Sequence, residues 1–326
     1  MGRGERRYNH SVLRILYMGT PQFAVPALEA LIDSPHTVVA LVSQPDRPRG
    51  RGQHVQPTPT KAVALAHGVP VMQPTRLKDP ALHDEWRALA PDLGVVAAYG
   101  RILPDALLEL PRLGMINIHA SLLPKYRGAA PIHRAIIDGE AQTGVTIMRV
   151  VSQLDAGPML LTGTRAIGAD ETTTDIEPAL ASLGASLVLD AVNQLAAGPV
   201  VETPQDDAQA TYAAKIEKHE GAIAWDLPAE RIHNLVRGLH PWPLVSASMD
   251  GKRIVIHRTK LTDARSDAPS GTLLAEDGLA VVAGDGRVLQ IVEIQPAGKR
   301  AMSARDFLAG HRLPASARFE RLPPGP

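Results

Sequence analysis

The feature that most constrains the fold is an alternation of short apolar runs and amphipathic stretches between Val12 and about Ala197. This alternation is typical of βαβ units, in which helices cover the faces of a mainly parallel sheet. We therefore predict a Rossmann-like, mostly parallel α/β domain. The predicted strands are Leu13–Tyr17, Thr37–Val42, Leu93–Ala97, Met115–Ile118, Val145–Val151 and Met159–Ile167, and the predicted helices are Phe23–Leu31, Thr60–Ala66, Ala81–Leu89, Ala130–Ile137 and Thr174–Leu195.

The pattern changes after a polar stretch from Glu202 to Gln209. One predicted helix, Ala229–Arg237, precedes short strands separated by Asp-Gly pairs at Asp250, Asp277 and Asp285. Because Asp-Gly favours tight hairpin turns, we predict a small antiparallel barrel or sandwich, with an OB-like β-barrel preferred. The expected organisation is a disordered leader over residues 1–11, a catalytic domain over 12–200, a linker over 201–213 and a C-terminal β-barrel domain over 214–326.

Composition excludes several classes of site. The 326 residues contain no cysteine, which excludes disulfides, thiolate chemistry and cysteine-ligated metals, and no His-x-x-x-His spacing suggests zinc, so no metal is expected. The absence of cysteine favours a cytoplasmic protein. No apolar run reaches the roughly 18–20 residues that span a bilayer, so we expect no membrane contact. The formal net charge is zero. Any nucleic-acid binding must therefore depend on local basic patches.

A glycine turn at Gly19 follows the first predicted strand and opens a helix, as in nucleotide-binding folds. The second and third glycines of a dinucleotide fingerprint are missing, and no Lys followed by Ser or Thr forms a phosphate-binding loop. A tight strand-to-helix connection explains Gly19 better than a dinucleotide site does.

Polar side chains mark the end of the strand Met115–Ile118. A period of two places Asn117 and His119 on one face near the carboxyl end, where open α/β sheets bind ligands. A capping Asn and a buried core His would explain the same two residues. Asp155 lies in the turn between the next two predicted strands and is expected at the same edge, although an isolated turn Asp is usually structural. Together the three residues suit acyl-type transfer.

The run Asn117-Ile-His-Ala-Ser-Leu-Leu-Pro-Lys-Tyr-Arg-Gly128, taken with Asp155, resembles the signature of the folate-dependent formyltransferases. The resemblance implies that Asn117, His119 and Asp155 are catalytic. It also implies that the formyl donor is 10-formyltetrahydrofolate and that a reduced-folate pocket is lined by four consecutive residues: Ser121, Leu122, Leu123 and Pro124. Further similar segments begin at Met18, Gln44, Gly128 and Gln295.

Charge placement bears on the acceptor. Within a Pro/Gly-rich segment, predicted to be an irregular loop, Asp46 is accompanied by four cations: Arg47, Arg49, Arg51 and Lys61. A solvated flexible loop is the ordinary interpretation, but the resemblance implies that Arg47, Arg49 and Arg51, with Lys299 and Arg300 of the C-terminal part, bind initiator methionyl-tRNA. We expect a monomer. The alternatives are a formyltransferase acting on an amino sugar or a purine precursor, a folate hydrolase, and a non-catalytic RNA-binding protein.

Overall fold

The computed structural model describes residues 11–49, 54–314 and 316–322. The predicted leader therefore lies almost wholly outside the described residues, as does Arg51. In chain order the strands are β1 (Arg14–Gly19), β2 (Thr37–Val42), β3 (Arg47–Arg49), β4 (His54–Gln56), β5 (Val71–Met72), β6 (Leu93–Ala97), β7 (Met115–His119), β8 (Arg127–Gly128), β9 (Gln142–Arg149), β10 (Met159–Ala166), β11 (Tyr212–Ala213), β12 (Val245–Met249), β13 (Lys252–Arg265), β14 (Leu273–Leu274), β15 (Ala280–Val282), β16 (Arg287–Pro296), β17 (Met302–Ser303) and β18 (Glu320–Arg321). The α-helices are α1 (Val25–Ile32), α2 (Pro59–Ala66), α3 (Pro80–Ala88), α4 (Asp105–Leu108), α5 (Pro131–Ile137), α6 (Thr173–Ala197), α7 (Ala229–Gly238) and α8 (Ala304–Gly310).

The chain divides into two compact units. The first comprises the described residues up to 129 together with 144–165 and 177–212, and the second comprises 130–143, 166–176 and the described residues from 213 onward. Each unit has a sheet of seven strands and its own apolar core.

The large sheet has the order β10-β9-β7-β6-β1-β2-β5. Strand β1 pairs in parallel with β2 and β6, β6 pairs in parallel with β7, and β7 pairs antiparallel with β9. The mostly parallel α/β fold is therefore confirmed. The chain runs outward from β1 through β2 to β5 and then returns to β6, so the strand order reverses between β1 and β6. In open α/β sheets ligands bind outside the carboxyl ends of strands at such a point.

Strand β9 begins three residues before its predicted start because of a close backbone approach. A Cβ built on Gly144 would lie 2.1 Å from the Gly163 carbonyl oxygen of β10. Glycine is therefore the residue that fits at this position of the sheet. Because glycine usually weakens a strand, the predicted strand started after Gly144 instead of before it.

The segment that follows β2 was predicted to be an irregular loop, and this prediction is wrong. Strands β3 and β4 form a short antiparallel hairpin in which Arg47 pairs with Gln56 and Pro48 pairs with Val55. A proline is tolerated in such a two-stranded ribbon because its missing N–H need not face a partner strand. Val55 is 65% exposed, so the hairpin gains little from burial of this residue.

The C-terminal sheet has the order β14-β15-β16-β13-β12-β18, with β17 on β16. All three Asp-Gly pairs form the predicted turns, with positive φ at Gly251, Gly278 and Gly286. An isolated antiparallel bridge joins Thr272 to Arg318. This bridge brings the two ends of the strand order together, so the sheet is curled and antiparallel.

By length and composition, helix α6 is apolar enough to cross a membrane, although no continuous apolar run of that length was found in the sequence. Its packing is that of a core helix. A Cβ on Gly184 would lie 2.7 Å from the Ile118 side chain of β7, and Leu183 and Leu187 lie against Gly163 of β10. The helix thus covers one face of the large sheet.

Candidate active site

His119 ends strand β7 in the middle of the large sheet and is 5% exposed. Its Nε2 lies 2.9 Å from the carbonyl oxygen of Tyr126. Because a carbonyl oxygen only accepts hydrogen bonds, Nε2 carries the proton of this bond. The other ring nitrogen, Nδ1, lies 3.7 Å from Asp155 Oδ2. His119 is therefore fixed through Nε2 and presents Nδ1 to the carboxylate.

Asp155 lies in the connection between β9 and β10, and its backbone is left-handed with a φ of 48°. Its Oδ2 accepts a hydrogen bond of 2.8 Å from the Gly128 amide. The separation of 3.7 Å from His119 is too long for a direct hydrogen bond but is within reach of a small movement or a bridging water. The structure brings the predicted imidazole and carboxylate to the same place.

Asn117 precedes His119 by two residues and pairs with Val96 of β6 and Met148 of β9. It is partly exposed, whereas its strand neighbours Ile116 and Ile118 are buried. Among the described residues its side-chain amide has no hydrogen-bonding partner. This amide is therefore available to a ligand at the edge of the sheet.

The segment from Ser121 to Pro124 is held by its own hydrogen bonds. Ser121 is fully buried, and its hydroxyl donates to the Lys125 carbonyl at 2.7 Å. Thr146 of β9 donates to the Ser121 carbonyl and accepts from the Leu123 amide. These groups stabilise the loop, which leaves the partly exposed Leu122 and Pro124 as its apolar surface.

A cleft of about 510 Å³ lies outside the carboxyl ends of β1, β2 and β6, where the strand order reverses. Its lining is polar in large part and includes Thr20, Gln44, Arg47, Gln56, Thr58 and Gly100. Arg47 belongs to the hairpin β3–β4, so the hairpin forms one wall of the cleft. The side chain of Arg49 is not described.

Lys61 does not behave as the free cation that the sequence suggested. Its Nζ donates to Asp46 Oδ2 at 2.6 Å and to Gln73 Oε1 at 2.7 Å. Gln73 also donates to Asp46 Oδ1 and to the Gln44 carbonyl, both at 2.8 Å. The hydrogen bond from Lys61 is the main cause that lowers the pKa of Asp46. This network fixes the base of the hairpin next to the cleft.

Lys299 and Arg300 lie in the second unit, in the exposed turn between β16 and β17. The amide of Gln295 donates to the Lys299 carbonyl at 2.8 Å and supports the turn. In the described part of the chain, no group of three or more His, Asp or Glu side chains could hold a metal ion.

Sequence reasoning missed two residues that contact the site loops, Arg127 and Gln205. Arg127 is 1% exposed and binds Gln205, which in turn contacts the backbone of Asp155. Arg127 is part of the signature run, but its buried position was not evident. Gln205 gives no signal of its own because it stands in a polar stretch that has the composition of a linker.

Comparison with known proteins identifies matches over both units. A family model described as formyl transferase matches residues 13–192, and one described as formyl transferase, C-terminal domain, matches residues 215–312. The chain is 48% identical over 302 residues to the methionyl-tRNA formyltransferase of Methylococcus capsulatus, covering 92% of this chain and 98% of that protein. It is 45% identical over 303 residues to the protein of the same name from Moorella thermoacetica, covering 92% and 97%.

Two solved structures have a similar fold at low sequence identity. The N-formyltransferase from Helicobacter canadensis, in complex with folinic acid and dTDP-3-aminofucose, aligns with a TM-score of 0.65 and 17% identity over 86% of this chain and 99% of that chain. HypX from Aquifex aeolicus, in complex with tetrahydrofolic acid, aligns with a TM-score of 0.63 and 17% identity over 91% of this chain and 47% of that chain. At this level of identity the similarity concerns the fold.

Proposed function

The chain belongs to the formyl transferase family, and from this premise we propose that it transfers the formyl group of 10-formyltetrahydrofolate to the amino group of initiator methionyl-tRNA. The product is N-formylmethionyl-tRNA. The observation that carries the proposal is the 45–48% identity to methionyl-tRNA formyltransferases over almost their whole length. An amino sugar or purine precursor as acceptor is not favoured, because the proteins named for other acceptors are only 16–23% identical to this chain.

The proposed chemistry uses Asn117, His119 and Asp155. The amine nitrogen attacks the formyl carbon, and the bond from that carbon to the folate nitrogen breaks. The amine gives up one proton and the departing folate nitrogen takes one up, so that tetrahydrofolate is released. The free amide of Asn117 donates to the formyl oxygen as it gains negative charge. His119 acts through Nδ1, because Nε2 is engaged by the Tyr126 carbonyl. Asp155 orients His119 or receives the amine proton, directly or through water.

Substrate binding follows from the surfaces around these residues. The reduced folate contacts the loop Ser121–Pro124, chiefly through Leu122, Pro124 and backbone groups. The unpaired amide of Asn117 near that loop supports this assignment, because it is available to the formyl group of a folate bound there. The tRNA contacts five cations: Arg47, Arg49, Arg51, Lys299 and Arg300. Such cations bind phosphates and position the acceptor.

The remaining proposals concern organisation. The catalytic domain spans 12–200, a linker spans 201–213, and an OB-like β-barrel spanning 214–326 binds tRNA. The protein acts as a monomer in the cytoplasm without membrane contact. The curled antiparallel sheet of the second unit supports the barrel assignment.

The test is to incubate the protein with 10-formyltetrahydrofolate and charged initiator tRNA and to assay N-formylmethionine after hydrolysis of the ester. Parallel reactions contain elongator methionyl-tRNA, uncharged tRNA or a nucleotide-linked amino sugar. We expect formylation of the charged initiator alone. Transfer to the amino sugar with no product on methionyl-tRNA would contradict the proposal.

A further inference from the structure

The segment that includes residues 203–211 is fastened to the loops of the candidate active site. Thr203 forms a two-bond bridge with Met159, at the start of β10, with both distances 2.8 Å. The Thr211 carbonyl accepts from the Arg127 amide at 2.9 Å, and the Thr211 hydroxyl accepts from the Tyr126 amide at 2.9 Å. This segment therefore supports the loop at residues 126–127 and the start of β10, as well as connecting two parts of the chain.

The closest connection to the site is made by Gln205. Its side-chain Nε2 donates to the carbonyl oxygens of Asp155 and Gly157, each at 2.8 Å. Its Oε1 accepts from Arg127 Nε at 3.0 Å. All three of these hydrogen bonds have normal length, and they use both donors and the acceptor of one amide.

Arg127 fixes Gln205 from the other side. Its side chain is 1% exposed, and its Nη2 donates to Asp207 Oδ1 at 2.7 Å. A buried guanidinium needs partners for its donors, so it constrains the side chains that accept from it. The planar guanidinium also orients the amide of Gln205 so that Nε2 points at the 155–157 loop.

This loop needs external support. Asp155 has a left-handed backbone, which Asp tolerates better than most residues but which is less favourable than the right-handed region. Two residues later, a Cβ on Gly157 would lie 1.9 Å from the Arg149 carbonyl oxygen, so the loop lies directly on the backbone of β9. The loop is thus held by β9 on one side and by Gln205 at the carbonyls of residues 155 and 157.

We propose that Gln205 is a positioning residue for the proposed reaction: it holds the backbone of Asp155 so that the carboxylate faces His119 Nδ1. This inference rests on the proposed function, because it assigns the use of Asp155 to formyl transfer. The proposed role of Gln205 is exerted through Asp155, and no substrate contact is assigned to it. A displacement of about 1 Å at a catalytic group can reduce a rate by about 10²-fold.

The test compares Gln205→Met, which has a similar shape but no amide, with Gln209→Met. Gln209 lies in the same segment, is exposed, and its amide donates to Asp206. We expect Gln205→Met to lower kcat for formylation by about 10- to 100-fold while KM for each substrate stays within about twofold. Gln209→Met should match the wild type. A Gln205→Met enzyme with wild-type kcat, or with a raised KM alone, overturns the proposal.

A second variant separates positioning from folding. Gln205→Glu keeps an acceptor for Arg127 but loses both donors to the loop carbonyls. We expect it to unfold in a single cooperative transition, as the wild type does, and to lose at least as much kcat as Gln205→Met, because a carboxylate oxygen repels the two loop carbonyls. Recovery of wild-type kcat in Gln205→Glu would show that Arg127 alone needs this side chain, and it would overturn the proposal.

A measurement that does not require catalytic turnover separates this inference from the proposed function. The ¹⁵N shifts of the His119 ring, assigned by their absence in His119→Gln, report the position of the nearby carboxylate. They should move in Gln205→Met and stay unchanged in Gln209→Met; unchanged shifts in both variants overturn the proposal. If the wild type does not formylate methionyl-tRNA but the shifts still move, the positioning contact stands and the proposed function fails.

Discussion

Replacing Lys61 with methionine tests the network at the base of the hairpin. The change removes hydrogen bonds of 2.6 Å to Asp46 and 2.7 Å to Gln73, and the side chains of Lys61 and Asp46 are 22% and 21% exposed. Hydrogen bonds to charged groups contribute about 1.5–3 kcal/mol each, and breaking a fully buried ion pair costs about 3–5 kcal/mol. Asp46 keeps a donor in Gln73 and some contact with water, so we expect a loss of about 2 kcal/mol in the free energy of unfolding.

This loss should depend on pH in a definite direction. The hydrogen bond from Lys61 lowers the pKa of Asp46 below its ordinary value of 3.8. A carboxyl group whose pKa falls on folding stabilises the protein above its unfolded pKa, and that contribution disappears as the pH falls through the folded pKa. The difference between wild type and Lys61→Met should therefore be complete at pH 7 and shrink below about pH 4.

Urea unfolding at pH 7 and at lower pH measures the effect, with Asp46→Asn and the double variant completing a cycle. Lys78→Met, at an exposed lysine of the same unit, is the matched control and should change stability by less than about 0.5 kcal/mol. The cycle should give a coupling energy of about 1–2 kcal/mol. A coupling near zero, or a deficit of Lys61→Met that persists undiminished at low pH, would refute the assignment of this ion pair as the stabilising element.

Three further predictions concern the site and its supporting loop. Asn117→Ala should lower kcat by about 10²- to 10³-fold without changing thermal stability, and a variant retaining a tenth of wild-type turnover excludes an oxyanion role. Arg47→Gln should raise KM for tRNA and flatten its dependence on salt concentration, since each phosphate contact releases counterions; an unchanged slope places Arg47 outside the RNA contact. Gly157→Ala should lower the free energy of unfolding by about 3 kcal/mol or more, because its Cβ would lie 1.9 Å from the Arg149 carbonyl oxygen. In the control variant Gly310→Ala the added Cβ has no neighbour within 4 Å, so this variant should unfold at the wild-type temperature.

The local sequence pattern was sufficient to predict those segments whose structure depends mainly on their own residues. Strands β2 and β6 have the predicted bounds. The apolar run of β2 ends at Ser43, and β6 begins directly after Asp92. The three Asp-Gly turns formed as predicted because positive φ is a local property of glycine. The convergence of His119 and Asp155 at one edge followed from strand direction, which is a property of the fold class.

Prediction failed where the partner of a residue is distant in the chain. Lys61 was counted as a cation of the loop, but its partners Asp46 and Gln73 are 15 and 12 residues away, and the carboxylate of Asp46 neutralises its charge. Gln205 acts on a backbone carbonyl 50 residues away, and nothing in its neighbours identifies that target. Composition describes which residues a segment contains, whereas these roles depend on which backbone groups the fold leaves within reach.

The bond between His119 Nε2 and the Tyr126 carbonyl limits how His119 and Asp155 divide the chemistry. With Nε2 engaged, Nδ1 is the ring nitrogen left to interact with both the formyl oxygen and the carboxylate. Because Nε2 already holds one ring proton, Nδ1 can donate only when the ring carries both protons, and a single N–H cannot donate at full strength to two acceptors. With a gap of 3.7 Å to Asp155 Oδ2, we expect the carboxylate to receive the amine proton. The carboxylate is meanwhile held by the Gly128 amide.

Asp155→Asn distinguishes this role from simple orientation of the ring. The amide oxygen of Asn still accepts from the Gly128 amide, so the loop keeps its geometry, but the side chain no longer takes up a proton. We expect kcat to fall by about 10²- to 10⁴-fold, with binding of folate and tRNA unchanged and with little further loss in Asp155→Ala. If Asp155→Asn keeps most of its activity and Asp155→Ala loses it, the carboxylate serves to position His119, and the proton leaves the amine by another route.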